Sequence, residues 1–325
     1  MKQITVVMSV YNVPLEWLRC SIDSILAQTF GAFEFIIIND DPLRQELGDI
    51  LKSYCNKDGR IKIIENRENI GLAKSLNEGI KKAQGKYIAR MDQDDISLPE
   101  RLELQHRFLE RSPDVFLVGT SVQIIDRNGL IKEKVVRHSN HKRLINDILA
   151  GRLAFYHSSI MFRNEGFLYR DKLNIVEDYD FYLNLLFNGK KFSNIKEIGL
   201  RYRMSGQGVS MSRKRRQVIL KKLALKFYYE KLQNGYDSYD KLDFDDEGQL
   251  VSFLGIPPDR LEAEALREKI VFALGAGDYE DARAAFQHYK KYNPKKAEEF
   301  ILWLFLTFPW LRKLYRKLRY EIIKL

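Results

Sequence analysis

The sequence predicts an α/β fold in which a mostly parallel sheet carries helices on both faces. Short apolar runs alternate with segments of helical periodicity over residues 4–91. That alternation is typical of βαβ units, whose crossover helices cover both faces of a parallel sheet. Polar loop residues follow each of the first four apolar runs. At 325 residues the chain can bury a large core and still provide a second region.

The first predicted elements follow one another from the amino terminus. Residues 4–10 are rich in β-branched side chains, which favours a buried strand. Leu15, Leu18 and Ile22 then recur on one face of a helix. The predicted strands are 4–10, 33–38, 61–64 and 87–91, and the helices between them are 14–28, 43–54 and 72–83.

After residue 92 the order of elements changes, and this part is predicted to be mixed. A helix at 98–111 is expected to begin with a capping box of Ser97 and Glu100, with Pro99 in its first turn. Asp126 and Gly129 bound a hairpin-type turn. The remaining predicted helices are 141–150 and 177–188, and the remaining strands are 115–125, 130–136, 157–162 and 192–203.

The last third is predicted to be helical, which gives one domain of residues 1–211 and a helical region of residues 212–325. Helices are predicted at 212–233, 259–275 and 278–291, with a polar break over 234–247. Residues 299–311 are apolar but shorter than the ~20 residues of a membrane span. A basic amphipathic pattern follows to the end of the chain. It predicts contact with an anionic membrane surface, or alternatively a helix docked on its own domain.

Composition constrains the partner and the compartment. The net charge of +10 and the pI of about 9.3 favour an anionic partner such as a nucleotide, a nucleic acid or anionic lipid. Cys20 and Cys55 form no metal-spaced pair, so we expect buried free thiols in a reducing compartment. Polar residues follow the first apolar run, unlike a signal peptide. The expected location is therefore cytoplasmic, with peripheral attachment to the inner face of the membrane if the tail binds lipid.

An acidic loop, residues 92–95, follows the fourth predicted strand and contains Asp92, Asp94 and Asp95. In an open α/β sheet the carboxyl ends of the strands form the edge where ligands bind. Clustered carboxylates repel one another unless a cation or hydrogen-bond donors neutralise them. Such oxygens suit Mg²⁺ or Mn²⁺, which share their coordination with substrate phosphates. The alternative is a solvated acidic turn before a helix.

Polar loops after the first three strands are expected at the same edge. Ser9 and Tyr11 follow the first strand, Asp40 the second and Asn69 the third. Any one of these loops is explained by turn chemistry alone. Four of them on one edge of a sheet indicate a ligand site with carboxylates and amides for a base or a ribose.

In order and spacing, these motifs resemble the family 2 glycosyltransferases with a GT-A fold, of the kind that builds bacterial surface polysaccharides. The resemblance covers roughly residues 1–205 and leaves the helical region outside it. It implies a Rossmann-like central sheet for this part of the chain, which the predicted helical region then follows. The matching pieces are 7–12, 24–30, 35–41, 69–73 with Asn77, 92–95 with 99–102, and 177–180.

The resemblance implies a nucleotide-diphosphate sugar as donor, with a uridine diphosphate sugar expected. Asp40 matches the family aspartate that pairs with the base. Ser9 and Tyr11 would pack against the base and ribose, with Asn69 on the same side, and Asp92 would lie near the ribose.

The resemblance also implies a divalent cation, Mn²⁺ or Mg²⁺. Asp94 would bind the metal that bridges the two phosphates and neutralises the departing diphosphate. Lys74 loosely matches a basic residue near the phosphates. Arg203 lies in a later loop where many family members have a histidine. This loop has no histidine here, and Arg203 could stabilise the leaving group instead.

On the acceptor side, Asp178 matches the general base of inverting transfer, which takes the proton of the attacking hydroxyl. Glu177 would orient it, and the acceptor would be a glycan or a lipid-linked molecule. The alternative is that the acids at 177–180 simply favour a helix N-terminus. His157 is a candidate for the acceptor side, with a structural role as its alternative.

Other functions fit the residues less well. A nucleotidyltransferase would carry a glycine-rich basic loop near the first strand, which residues 7–16 lack. A glycosidase uses two carboxylates but leaves the nucleotide-side loops unexplained. No recognition motif accompanies the basic residues 213–216, so no nucleic acid is expected. A non-catalytic module that binds a nucleotide sugar or another anion remains the main alternative, and a homodimer through the helical region remains open.

Overall fold

The computed structural model describes residues 2–204, 214–276, 278–292 and 296–308 and confirms the α/β class. All residues of the first two strands are buried, which explains why they are continuous apolar runs rather than alternating ones. The strands are β1 (Ile4–Val10), β2 (Phe33–Asn39), β3 (Ile61–Glu65), β4 (Tyr87–Arg90), β5 (Ile96–Ser97), β6 (Val115–Ile125), β7 (Ile131–Val135), β8 (Met161–Arg163) and β9 (Lys191–Arg203).

The α-helices of the first half intervene between these strands as the periodicity predicts. The described helices are α1 (Leu15–Leu26), α2 (Gln45–Lys57), α3 (Leu72–Lys82), α4 (Arg101–Arg111), α5 (His141–Leu149), α6 (Glu177–Phe187), α7 (Lys214–Asn234), α8 (Glu247–Leu254), α9 (Pro258–Ala276), α10 (Tyr279–Tyr289) and α11 (Lys296–Thr307).

A single nine-stranded sheet runs in the order β3-β2-β1-β4-β8-β6-β9-β5, with β7 paired to β6. The first four strands are mutually parallel, whereas β8 pairs antiparallel with both β4 and β6. The register aligns Val10 with Asn39, and Asn39 with Glu65. The carboxyl ends of these strands therefore share one edge, as predicted, and the second part of the sheet is mixed.

Helices pack on both faces of the parallel part. Leu18 of α1, Leu47 of α2 and Leu102 of α4 share one buried core with alternate residues of β1. On the other face, α3 approaches β1 and β2 so closely that a Cβ at Gly79 would lie 2.6 Å from Val7 Cγ1. The lack of a side chain at Gly79 permits this approach.

The capping box predicted at Ser97 is wrong. Ser97 belongs to β5 and pairs with Leu200 of β9. Its hydroxyl accepts a hydrogen bond from the Gln28 amide at 3.0 Å. The helix begins only at Arg101; the Glu100 side chain before it forms no cap, and the Leu102 N–H in its first turn donates to Gln28 Oε1 at 3.0 Å. The physical reason is Pro99, which disfavours helical backbone at the residue before it. Leu98 instead continues the pairing with β9 through a bond from its N–H to the Gly199 carbonyl at 2.9 Å.

Three smaller expectations are also corrected. The segment predicted as a strand at 157–162 begins as a 3-10 turn, His157–Ser159, and the strand is Met161–Arg163. Cys20 is exposed and Cys55 is only partly buried, because Cys20 lies on the outward face of α1. The short helix α8 lies in the interval between the predicted helices.

The chain divides into two compact units. The first contains the described residues up to Met204 together with 231–235, and the second contains the rest. The predicted boundary at 211 lies outside the described residues. Within the second unit, Arg215 lies 2.7 Å from Glu247 and 3.4 Å from Glu262. This basic residue, considered above for nucleic-acid binding, thus contacts acids of its own unit.

Only part of the apolar tail is described. In α11, Leu302, Phe305 and Leu306 are buried in a small core with residues of α9 and α10, while Trp303 is 43% exposed. This packing accounts for much of the apolar run. The basic segment from residue 309 onward lies outside the described residues. Within the described helices, none has the length and apolar character that crossing a membrane requires.

Candidate active site

Two hydrogen bonds between the Tyr11 backbone and the Gln93 side chain join the loop after β1 to the acidic loop. The Tyr11 N–H donates to Gln93 Oε1 at 2.8 Å, and Gln93 Nε2 donates to the Tyr11 carbonyl at 2.9 Å. Ser9 is buried at the end of β1, and the Tyr11 side chain is exposed. No local pattern indicates the role of Gln93, because its partner lies 82 residues away.

Asp40, at the end of β2, is 1% exposed and organises the loop after β3. Its carboxylate accepts hydrogen bonds from Asn66 Nδ2 at 2.8 Å, Asn69 Nδ2 at 3.2 Å, Ile70 N at 2.9 Å and Gly71 N at 3.0 Å. Gly71 has a φ of 87°, a conformation that favours glycine, and leads directly into α3. Asp40 and Asn69 are therefore brought together as expected, and they contact each other.

The three acids of the acidic loop have different environments. Asp92 Oδ1 accepts from Arg90 Nη2 at 2.6 Å. Asp94 is partly buried, and burial together with the charge of Asp92 raises its pKa to about 6. Asp95 is buried and accepts from the Ser158 hydroxyl and from the Arg203 N–H at 2.7 Å. Asp95 thus fixes the loop, and Asp92 and Asp94 are the carboxylates available for a ligand.

Two buried arginines next to the acidic loop, Arg90 and Arg101, were not assigned roles from the sequence. Arg101 donates to the Ser158 carbonyl at 2.7 Å and to the Arg90 carbonyl at 2.9 Å. Burial lowers the pKa of Arg101 to about 10. These bonds join the end of β4 to the 3-10 turn before β8. Arg101 belongs to a matching motif, but only the fold reveals its contacts.

Arg203 lies against the acidic loop, and its guanidinium donates hydrogen bonds to backbone carbonyls. Its Nε donates to the Asp94 carbonyl at 2.8 Å, and Nη1 donates to the Asp126 and Arg127 carbonyls, each at 3.1 Å. The guanidinium also lies 4.8 Å from the centre of the Trp17 ring. This geometry makes Arg203 a support of the loop. Most of the loop that follows it, 205–213, is outside the described residues.

Glu177 and Asp178 begin α6, and Glu177 interacts electrostatically with Arg90 although the two residues are far apart in the sequence. Glu177 is 7% exposed, and its Oε2 has no hydrogen-bond partner among the described residues. Burial and the neighbouring Asp178 raise the pKa of Glu177 to about 7. Asp178 is partly buried, and its Oδ1 accepts from the Tyr179 N–H at 2.7 Å.

His157 is held in the wall of the site. Its Nε2 lies 2.8 Å from the Tyr169 hydroxyl, and burial keeps its pKa well below the usual value. Asn77 of α3 clamps the Tyr169 backbone with bonds of 2.9 and 2.8 Å. A neutral histidine in such a network supports the structural alternative. Lys74, in the first turn of α3, forms an exposed ion pair with Asp171, its Nζ 3.6 Å from Asp171 Oδ2.

A metal ion would need ligands from outside the protein. Among the residues that the structure describes, no group of three or more His, Cys, Asp or Glu side chains could hold one. Mg²⁺ and Mn²⁺ sites commonly use one or two carboxylates and complete their coordination with phosphate oxygens. Asp94 fits that requirement, because burial and the charge of Asp92 raise its pKa by more than the charges of Arg203 and Arg90 lower it, so a bound cation would offset the remaining repulsion.

The model of glycosyl transferase family 2 matches residues 5–170. An uncharacterized glycosyltransferase of Methanocaldococcus jannaschii is 36% identical over 231 residues, which are 70% of this chain and 79% of the relative. The O-antigen biosynthesis glycosyltransferase WbnJ of Escherichia coli is 37% identical over 216 residues, 64% of this chain and 82% of the relative. The chain belongs to family 2 and is a glycosyltransferase.

Solved structures show the same fold at low sequence identity. The structure of S. aureus TarS residues 1–349 in complex with UDP-GlcNAc has a TM-score of 0.56 and 17% identity, and the match covers 89% of this chain and 92% of that one. The complex of the same fragment with UDP has a TM-score of 0.55 and 18% identity. The GT-A-like architecture with a helical carboxyl-terminal region is thereby confirmed.

The bonds of Asp40 generate a first prediction. Asp40→Ala leaves the partly buried N–H groups of Ile70 and Gly71 without acceptors, so we expect a loss of about 1–3 kcal/mol in unfolding free energy. Hydrogen exchange at these two amides should become faster. The matched control is Asp41→Ala, because Asp41 is only partly buried and accepts one bond of 3.2 Å from Asn12. Unchanged exchange in Asp40→Ala would contradict the anchoring role.

Proposed function

We propose that this glycosyltransferase moves a sugar from a nucleotide-diphosphate donor, a UDP sugar, to a hydroxyl of a glycan or lipid-linked acceptor with inversion. The observation that carries the proposal is the position of two acidic groups around the buried Arg90. The acidic loop follows β4 and bonds to Arg90 through Asp92 at 2.6 Å, and Glu177, which begins α6 beside Asp178, interacts electrostatically with Arg90. Such closeness suits a reaction that needs both a cation site and a base.

The donor assignment is supported by the geometry and by the relatives. The loops that contain Tyr11 and Asp40 lie beside the acidic loop, on the edge where α/β sheets bind nucleotides. The TarS structures contain UDP and UDP-GlcNAc. Relatives include proteins of O-antigen and amylovoran biosynthesis, which favours a polysaccharide intermediate as the acceptor.

In the proposed reaction the acceptor oxygen attacks the anomeric carbon while the bond from that carbon to the diphosphate breaks. Asp178 accepts the proton of the acceptor hydroxyl. Glu177, with a pKa of about 7, carries a proton over part of the physiological pH range. In the protonated state it no longer repels the negative charge of Asp178. Asp94, with Asp92 beside it, would hold a Mn²⁺ or Mg²⁺ ion. When bound, that ion neutralises charge on the departing diphosphate.

The donor site is tested by calorimetry with UDP in the presence and absence of Mn²⁺. We expect Mn²⁺ to strengthen binding, and Asp94→Asn to weaken Mn²⁺-dependent binding by at least about tenfold, because one ligand of the cation is lost. Asp114→Asn is the control, since Asp114 is exposed beside Lys191. Equal UDP binding with and without Mn²⁺ would contradict the metal role. If the wild type binds GDP or dTDP but not UDP, the uridine assignment is wrong.

The acceptor side is tested by Asp178→Asn. Removal of the base should lower kcat by about 10²–10⁴-fold while UDP affinity stays unchanged, because the base acts only in the transition state. UDP release is measured from a UDP sugar selected by screening, in the presence of a lipid-linked glycan extract. Asp49→Asn, at an exposed position of α2, is the control. A variant that keeps full kcat would exclude Asp178 as the base.

A further inference from the structure

Arg90 is a buried cation at the centre of the candidate active site. It ends β4, is 2% exposed, and donates from Nη2 to Asp92 Oδ1 at 2.6 Å. Its other terminal nitrogen donates to the Met91 carbonyl, and its own carbonyl accepts from Arg101. The guanidinium therefore joins the backbone just before the acidic loop to a carboxylate within it.

Arg90 interacts electrostatically with a second acid, Glu177, besides its ion pair with Asp92. Arg90 Nε and Glu177 Oε2 are both buried, and neither has a hydrogen-bond partner among the described residues. The charge of Arg90 opposes the effect of burial on the pKa of Glu177, so the two groups interact. A buried guanidinium is costly unless acidic groups surround it. Asp92 and Glu177 provide those groups from the two sides of the site.

We propose that Arg90 is a positioning residue that fixes the Asp92 carboxylate for the donor. This inference rests on the proposed function. Arg90 acts through Asp92 and is itself too buried to contact the nucleotide. The planar fork of arginine bonds the Met91 carbonyl and the Asp92 carboxylate from two separate nitrogens. A lysine keeps the charge but has one nitrogen in place of two, so it cannot reproduce this geometry.

A purely structural role for Arg90 predicts something different. A residue that only stabilises the sheet would change the melting temperature and leave the affinity of the folded protein for UDP intact. A positioning residue changes UDP affinity and the KM for the donor more than kcat. The effect of Arg90→Lys on UDP affinity should also disappear in the Asp92→Asn background, where the carboxylate to be positioned is absent. A double-mutant cycle measures this coupling.

The experiment compares wild type, Arg90→Lys, Asp92→Asn and the double variant by UDP calorimetry with Mn²⁺, after thermal melts confirm folding. We expect Arg90→Lys to lose about tenfold in UDP affinity. In the Asp92→Asn background, Arg90→Lys should cost less than twofold, since both changes disrupt one interaction. The donor KM of Arg90→Lys should rise more than kcat falls.

Arg163→Lys is the matched control. Arg163 also donates to backbone carbonyls, at 2.9 Å to Val115 and 2.8 Å to Leu109, but it pairs with Tyr87 at the opposite end of β4. It should keep wild-type UDP affinity. A wild type that fails to bind UDP overturns the proposed donor. If the wild type binds and Arg90→Lys binds equally, fails to fold, or has an additive effect with Asp92→Asn, the positioning role is overturned.

Discussion

The acidic loop keeps its shape because buried donors and cations offset the repulsion among its three carboxylates. Asp95 is the buried last residue of the loop and accepts hydrogen bonds from the Ser158 hydroxyl and the Arg203 N–H. Arg101 binds the end of β4 to the same turn that contains Ser158. Without these contacts the like charges of 92–95 would separate, and no edge of the sheet would present two carboxylates to one ligand.

The same contacts connect the two parts of the sheet. The parallel strands β1–β4 supply the donor-side loops, and the mixed strands lead to the turn at His157–Ser159 and to the end of β9. Arg101 and Asp95 bond across that division, so the position of the acidic loop is fixed by both parts. A glycosyltransferase needs such rigidity, because misplacement by about 1 Å between reacting groups is costly to the rate.

The amino-acid pattern predicted most of the fold because local periodicity determines strands and helices. It placed β1–β4, the shared edge and the acidic loop correctly. It did not predict the contacts of Arg90, Arg101 and Gln93, which depend on partners brought together by tertiary structure: Arg101 and Ser158 are 57 residues apart. It also misplaced the start of α4, since a favourable cap sequence at Ser97 was overridden by pairing with β9. Local motifs therefore indicate which residues are candidates for the site, whereas the contacts of those residues depend on long-range packing.

The central claim is that Asp94 and a nucleotide diphosphate share one cation on the edge formed by β1–β4. The most direct measurement is a crystal structure of the wild-type protein with UDP and Mn²⁺, with anomalous scattering recorded for manganese. The account predicts one anomalous peak about 2.1 Å from an Asp94 carboxylate oxygen, with diphosphate oxygens among its other ligands. A manganese peak elsewhere, or UDP bound away from Tyr11 and Asp40, would contradict it.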